Sequence, residues 1–198
     1  MSKYKERGPY HFVEYADPNT EYHAHASDLI EQVCKVAMDM PNRLLDATGL
    51  SEPSIHLHEV GCGEGLLLHL LQWKLDRFKQ LSGNDADPLA VRMGNLLVPS
   101  AEIVLEGNFP RRHPNRAFDV VMFADSLEHI STYVEHLSWA RDRSRCIVVA
   151  VPSKHDRHAI RDFDAFHFDA YFGASWTLAH QRTRHSRHLR IWRRREAA

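Results

Sequence analysis

Apolar positions along the chain change rhythm in a regular order. Leu29, Val33, Val36, Ala37 and Met40 recur at helical spacing and form one stripe, on a helix opened by Asp17-Pro18 and stopped by Pro41. After the loop Ser51-Glu52-Pro53, residues 55–60 alternate like a strand, and a glycine turn leads into a leucine-rich helix over 64–74. A second strand is expected to end near Gly83, with a helix after Pro88 and a third strand over 101–105. Residues 118–124 are almost continuously apolar, the pattern of a strand buried on both faces. A helix over 131–141 follows, then a strand over 146–151 closed by Pro152. Residues 176–180 and 188–192 flank a Thr-Arg-His-Ser turn and predict an antiparallel hairpin. Strands alternating with helices in this way predict an α/β fold built on βαβ units and a mostly parallel sheet.

A length of 198 residues fits one domain. The 25 basic and 26 acidic residues nearly cancel, but residues 181–196 hold seven arginines against one glutamate, so the rest of the chain is acidic. Such a basic end either tracks phosphates, with steep salt dependence, or pairs with the acidic body of its own chain or with an acidic partner. The N-terminal stretch has no apolar core of the kind a secretory signal needs, and no apolar run approaches the roughly 20 residues of a membrane span. Cys34, Cys62 and Cys146 form no CxxC, which argues against a disulfide scaffold or a cysteine zinc site. Together these features predict a cytoplasmic protein that does not enter a membrane.

The stretch Glu59-Val60-Gly61-Cys62-Gly63-Glu64-Gly65 follows a predicted strand and opens a predicted helix. Glycines there let the backbone turn sharply and let a ligand lie on it, facing the positive end of the helix. Asp85, at the end of the next strand and followed by Ala86, is placed to accept the hydroxyls of a ribose. The spacing G-x-G-x-G is one residue short of the dinucleotide fingerprint, which makes a nicotinamide oxidoreductase the weakest reading.

At these residues the chain resembles the class I S-adenosylmethionine (SAM) dependent methyltransferases. Phe118-Asp119-Val120-Val121 with Leu127-Glu128-His129 is similar to their fourth-strand signature, and the resemblance covers about residues 50–152. It implies a Rossmann-like sheet of seven strands, mostly parallel, with a C-terminal antiparallel hairpin and helices on both faces. It also implies a helical cover over 1–45, with Tyr10, Tyr15 and Tyr22 either near the sulfonium or packing that cover on the core. The core would span 46–198, with the acceptor pocket lined by the polar segment 153–174. Glu59, Gly61, Cys62, Gly63 and Gly65 would hold the methionine end of SAM. Asp85 and Ala86 would flank the ribose, and Asn108 and Phe109 the adenine. Members of this family usually carry an adenine-binding acid after the third strand, where this chain has Glu106-Gly107-Asn108-Phe109.

Asp125 would face both cofactor and acceptor, and His129 the acceptor. If residues 125–129 are helical, Asp125, Glu128 and His129 share one face. His129 then serves as a general base, as part of a divalent-metal site with a later histidine (155, 158 or 167), or only as a cap. The acid-x-x-Glu-His spacing resembles both the ubiquinone-pathway O-methyltransferases and the small-RNA 2′-O-methyltransferases. The resulting expectation is methyl transfer to an oxygen or nitrogen of a small polar acceptor, with no resident metal. RNA 2′-O-methylation and a non-catalytic SAM-binding regulator are the alternatives.

Overall fold

The computed structural model describes residues 21–38, 55–74, 80–153, 160, 162–164, 167–184 and 187–195. Its seven strands are β1 (His56–Val60), β2 (Gln80–Asp85), β3 (Ala101–Leu105), β4 (Val120–Ala124), β5 (Cys146–Pro152), β6 (Trp176–Arg184) and β7 (Arg187–Arg194). They form one sheet in the order β3-β2-β1-β4-β5-β7-β6. The first five run parallel, while β7 is antiparallel to both β5 and β6. Between β1 and β4 the strand order reverses direction, and open α/β sheets hold ligands at the carboxyl ends of the strands beside such a point.

Alternation along the central strands explains why both faces are covered. Val120, Met122, Val148 and Ile191 point to one side, where they meet Leu29, Ile30 and Val33 of α1 (Glu21–Met38) and Leu68 and Leu71 of α2 (Leu66–Lys74). Val121, Phe123, Ile147, Val149 and Trp192 point to the other, against Leu137 and Trp139 of the helix Tyr133–Arg143 and against Phe168. The chain thus has the seven-stranded α/β architecture expected of it.

Strand β2 runs through Gly83 and ends at Asp85, and the missing side chain makes room for a neighbour: a Cβ on Gly83 would lie 2.7 Å from Cys62 Sγ. Two details differ from the expected elements. Both hairpin strands are longer than their apolar cores, extending into the polar residues Gln181–Arg184 and Arg193–Arg194. Residues 127–129 make only a single 3-10 turn.

The hairpin's arginines reach back to the acidic body. Arg182 pairs with Asp28 of α1 at 2.7 Å, Arg187 with Asp125 at 2.6 Å, and Arg190 with Asp169 at 2.8 Å. Arg190 is 4% exposed, so its pair tethers the 3-10 helix His167–Tyr171 to the sheet.

No helix among the described residues is long and apolar enough to cross a membrane. Tyr10, Tyr15, the Ser51–Pro53 loop, His155 and His158 lie outside the described residues, as does most of the expected 1–45 cover.

Candidate cofactor and acceptor site

The turn after β1 is tied to β2: the N–H groups of Gly61 and Cys62 both donate to the Asn84 carbonyl, at 2.9 and 3.0 Å. Gly61, Gly63 and Gly65 have φ of 73°, 53° and 72°, a region that strains any other residue. They differ in what surrounds them. A Cβ at Gly61 would lie 2.6 Å from Ser126 Cβ, and one at Gly65 2.7 Å from Ile103 Cδ1, so both positions are fixed by close packing. Among the described residues a Cβ at Gly63 would meet nothing within 4 Å. Bare backbone there faces open space, just ahead of the first turn of α2 with its partial positive charge.

Asp85 closes on this turn. Its Oδ2 accepts the Gly63 N–H at 2.8 Å and its Oδ1 accepts the Asp87 N–H at 2.9 Å, which fixes the carboxylate in a half-buried position with lone pairs to spare. Exposed Ala86 stands beside it. Glu59 is 2% exposed, and among the described residues its Oε2 has no hydrogen-bond partner. Burial, and then the charge of Asp85, pushes its pKa well above the usual carboxylate range. Cys62 is turned inward under Gly83, and burial raises its thiol pKa, so it anchors the turn as a neutral group.

Beside Asp85 sits the loop after β3. The Glu106 N–H donates to the Asp85 carbonyl at 2.9 Å, and Glu106 Oε1 accepts the Asn108 N–H at 2.9 Å. Asn108 caps the short helix Phe109–Arg112 by accepting the Arg111 N–H. The Phe109 ring is fully buried, 4.2 Å from the His58 ring and 5.4 Å from Trp139, so the ring belongs to the core. Glu106 brings to this loop an acid directly after the third strand; its position there is the signal visible in the sequence.

At the end of β4, Asp125 has φ 49°, the one non-glycine with positive φ among the described residues. Its N–H donates to the Ala150 carbonyl at 2.9 Å, and its carboxylate meets Arg187 Nε. Asp125 therefore stands outside the 127–129 turn and does not share a helical face with Glu128 and His129. Glu128 is buried at 1% exposure, whereas the His129 side chain is 26% exposed, with its Nε2 3.9 Å from Glu128 Oε1. Among the described residues no three His, Cys, Asp or Glu side chains converge as metal ligands. His167 instead shares Tyr133: the Tyr133 hydroxyl lies 3.2 Å from His167 Nε2 and 3.2 Å from the Tyr171 hydroxyl. Tyr133 and Tyr171 carried no sequence signal beyond their place in helices after β4 and β5.

No family model matches the sequence, and no curated protein sequence matches it. Solved structures do match its fold. A SAM-dependent methyltransferase from Clostridium acetobutylicum superposes with a TM-score of 0.64 at 11% identity, over 93% of this chain and 96% of its own. The 16S rRNA methyltransferase RmtF, solved with S-adenosyl-L-homocysteine, gives 0.58 at 12% identity over 88% of this chain. The chain spans 64% of that enzyme's length. The [4+2]-cyclase SpnF gives 0.65 at 12% identity, over 90% of this chain and 85% of its own. The Rossmann-like fold of the class I methyltransferases is thereby shown. One architecture carries more than one chemistry, so function has to be argued from the site.

Proposed function

We propose that this chain is a SAM-dependent methyltransferase acting on an oxygen or nitrogen of a small polar acceptor. The observation that carries the reading is the bond between the Gly63 N–H and Asp85 Oδ2, which joins an open glycine turn to a ribose-binding carboxylate. Two further features fit the group. The open space over Gly63 leaves its bare backbone free to meet a ligand, and among the described residues the buried Glu59 Oε2 lacks a hydrogen-bonding partner of the kind an ammonium would supply. When bound, SAM supplies a methyl carbon already activated by a sulfonium. The protein's own task is alignment of the acceptor and removal of its proton.

In this reading Glu59 and the 61–65 backbone hold the amino-acid end, Asp85 the ribose hydroxyls, and the Glu106–Asn108 loop the base. His129, part-exposed beside buried Glu128, takes the acceptor's proton; a histidine suits that at neutral pH. Arg187 holds Asp125 in a fixed orientation at the β4 end. The preference for a small acceptor over RNA rests on the hairpin arginines. Arg182, Arg187 and Arg190 are engaged by Asp28, Asp125 and Asp169, which lowers the charge left for a phosphate backbone.

Incubation with methyl-labelled SAM and separated cell fractions tests this. Label is expected in the low-mass fraction, and its transfer is expected to fall at least about 100-fold in His129→Ala. Label in RNA would replace the acceptor assignment. No label in any fraction, from protein that binds S-adenosylhomocysteine, would favour a regulatory SAM-binding role.

A further inference from the structure

On the face of the sheet opposite Glu59, β1 and β2 bury three polar side chains together. His58, Ser82 and Asn84 are 0%, 1% and 3% exposed, in a region otherwise packed with Phe109, Phe118 and Trp139. Burying polar groups among aromatic rings is costly unless every one is hydrogen-bonded. Here the bonds can be assigned a single direction. Asn84 Nδ2 donates to the Glu106 carbonyl at 2.7 Å, which leaves Oδ1 as an acceptor. His58 Nε2, 3.0 Å from that Oδ1, therefore carries the ring proton. His58 Nδ1 accepts from Ser82 Oγ at 3.0 Å, and Ser82 Oγ accepts in turn from His56 Nε2 at 3.1 Å.

The end point of this relay is the informative part. The Glu106 carbonyl belongs to the loop whose own N–H is bonded to Asp85, and a Cβ on the next residue, Gly107, would lie 3.3 Å from Ala86 Cβ. The loop is thus stitched at two points to the strand end that carries the ribose acid. An apolar pair at 58 and 84 would pack against the same rings and leave the Glu106 carbonyl unheld.

We propose that His58 and Asn84 are positioning residues that hold the Glu106-Gly107-Asn108 backbone at the place beside Asp85 where a nucleoside presents its base. The cofactor's base is then recognised through a buried network that never touches it. This rests on the nucleoside-cofactor reading above. Burial drives the His58 pKa down to about 3, so the ring remains neutral and keeps its role as donor at working pH.

Asn84→Leu in the full chain, with His58→Gln as a second variant should the first fail to fold, tests the proposal through two readouts. The first needs no ligand: backbone amide exchange at Glu106 and Asn108, whose N–H groups are bonded to the Asp85 carbonyl and to Glu106 Oε1. It is expected to rise at least about tenfold in Asn84→Leu while that of Val148 and Val149 stays slow. His58→Gln retains an amide donor toward Asn84 and is expected to give a smaller rise. Unchanged loop exchange overturns the positioning role. The second readout is titration with S-adenosylhomocysteine and with S-inosylhomocysteine, which differs only in its base. Affinity for the first is expected to fall about tenfold with little change for the second, so that base preference shrinks. Equal losses for both ligands would overturn base positioning and leave a structural role. A wild type that binds neither would overturn the cofactor reading itself, a result distinct from a variant that binds as wild type does.

Discussion

Arg187 Nε lies 2.6 Å from Asp125 Oδ1 and joins the first residue of β7 to the residue that follows β4. The acid expected to face cofactor and acceptor is thus held by an arginine from the segment whose charge pointed toward phosphate. Asp125 also keeps a left-handed backbone there, and a non-glycine persists in that region only where its surroundings over-determine it.

With side chains 24% and 20% exposed, this pair falls between surface and buried ion pairs. Arg187→Gln and Asp125→Asn should each lower stability by about 1–2 kcal/mol, a fall of roughly 2–8 °C in Tm at this chain length. A double-mutant cycle by urea unfolding should give a coupling of about 1 kcal/mol. Strictly additive losses would show that the two side chains do not support each other.

The glycine turn separates packing from ligand access. Gly61→Ala meets Ser126 Cβ at 2.6 Å and should destabilise by about 2–4 kcal/mol. Gly63→Ala meets nothing among the described residues and should cost only about 1 kcal/mol for its positive φ, yet weaken S-adenosylhomocysteine binding at least about tenfold. Thermal unfolding and calorimetric titration of both variants check this. A Gly63→Ala protein with wild-type affinity would mean that no ligand lies on that backbone.

Glu59 gives a pH signature. Its folded pKa is raised by burial and then by Asp85, so above the ordinary carboxylate range the unfolded chain is ionised while the folded one keeps its proton. Stability from this residue is therefore lost as pH rises from that range toward the folded pKa, at about 1.4 kcal/mol per pH unit. Glu59→Gln removes the titration, so in ligand-free protein its stability relative to wild type should climb from pH 5 to pH 8. Parallel urea-unfolding curves at the two pH values would contradict this.

His58 acts in the opposite direction. Its pKa is lowered from 6.5 to about 3, first by burial, so its share of stability is present above 6.5 and lost as pH falls toward 3. His58→Gln should flatten acid unfolding over that window, measured as the shift of the urea midpoint between pH 7 and pH 4.5. A wild-type slope in the variant would place the acid sensitivity elsewhere.

Local backbone demands were legible in the sequence, and cross-chain pairings were not. The β4 run declared a strand buried on both faces because apolar side chains without alternation leave few other solutions. The glycine turn and Asp85 were legible because φ above zero and a strand-end acid have few substitutes. His56 and His58 showed the polar phase of an alternating strand, the phase usually left to solvent. His58 is buried because Ser82, Asn84 and two aromatic rings meet it from other elements. The side of the sheet that receives the Phe109 ring, and the acids that receive Arg182, Arg187 and Arg190, depend likewise on residues distant in sequence. Residues 125–129 do not make one helix because Asp125 has φ 49°, and Ser126 beside it packs on Gly61, a contact no local pattern records.

Thermal unfolding with and without S-adenosylhomocysteine, in wild type and Asp85→Ala, tests the central claim most directly. At about 100-fold over the dissociation constant, binding should add roughly 2.7 kcal/mol, a rise of about 5–11 °C at this size. The account predicts that rise in the wild type and its loss in an Asp85→Ala protein that still unfolds cooperatively. A well-folded wild type whose Tm does not move at saturating ligand would contradict it, and the glycine turn would then be a packing device alone.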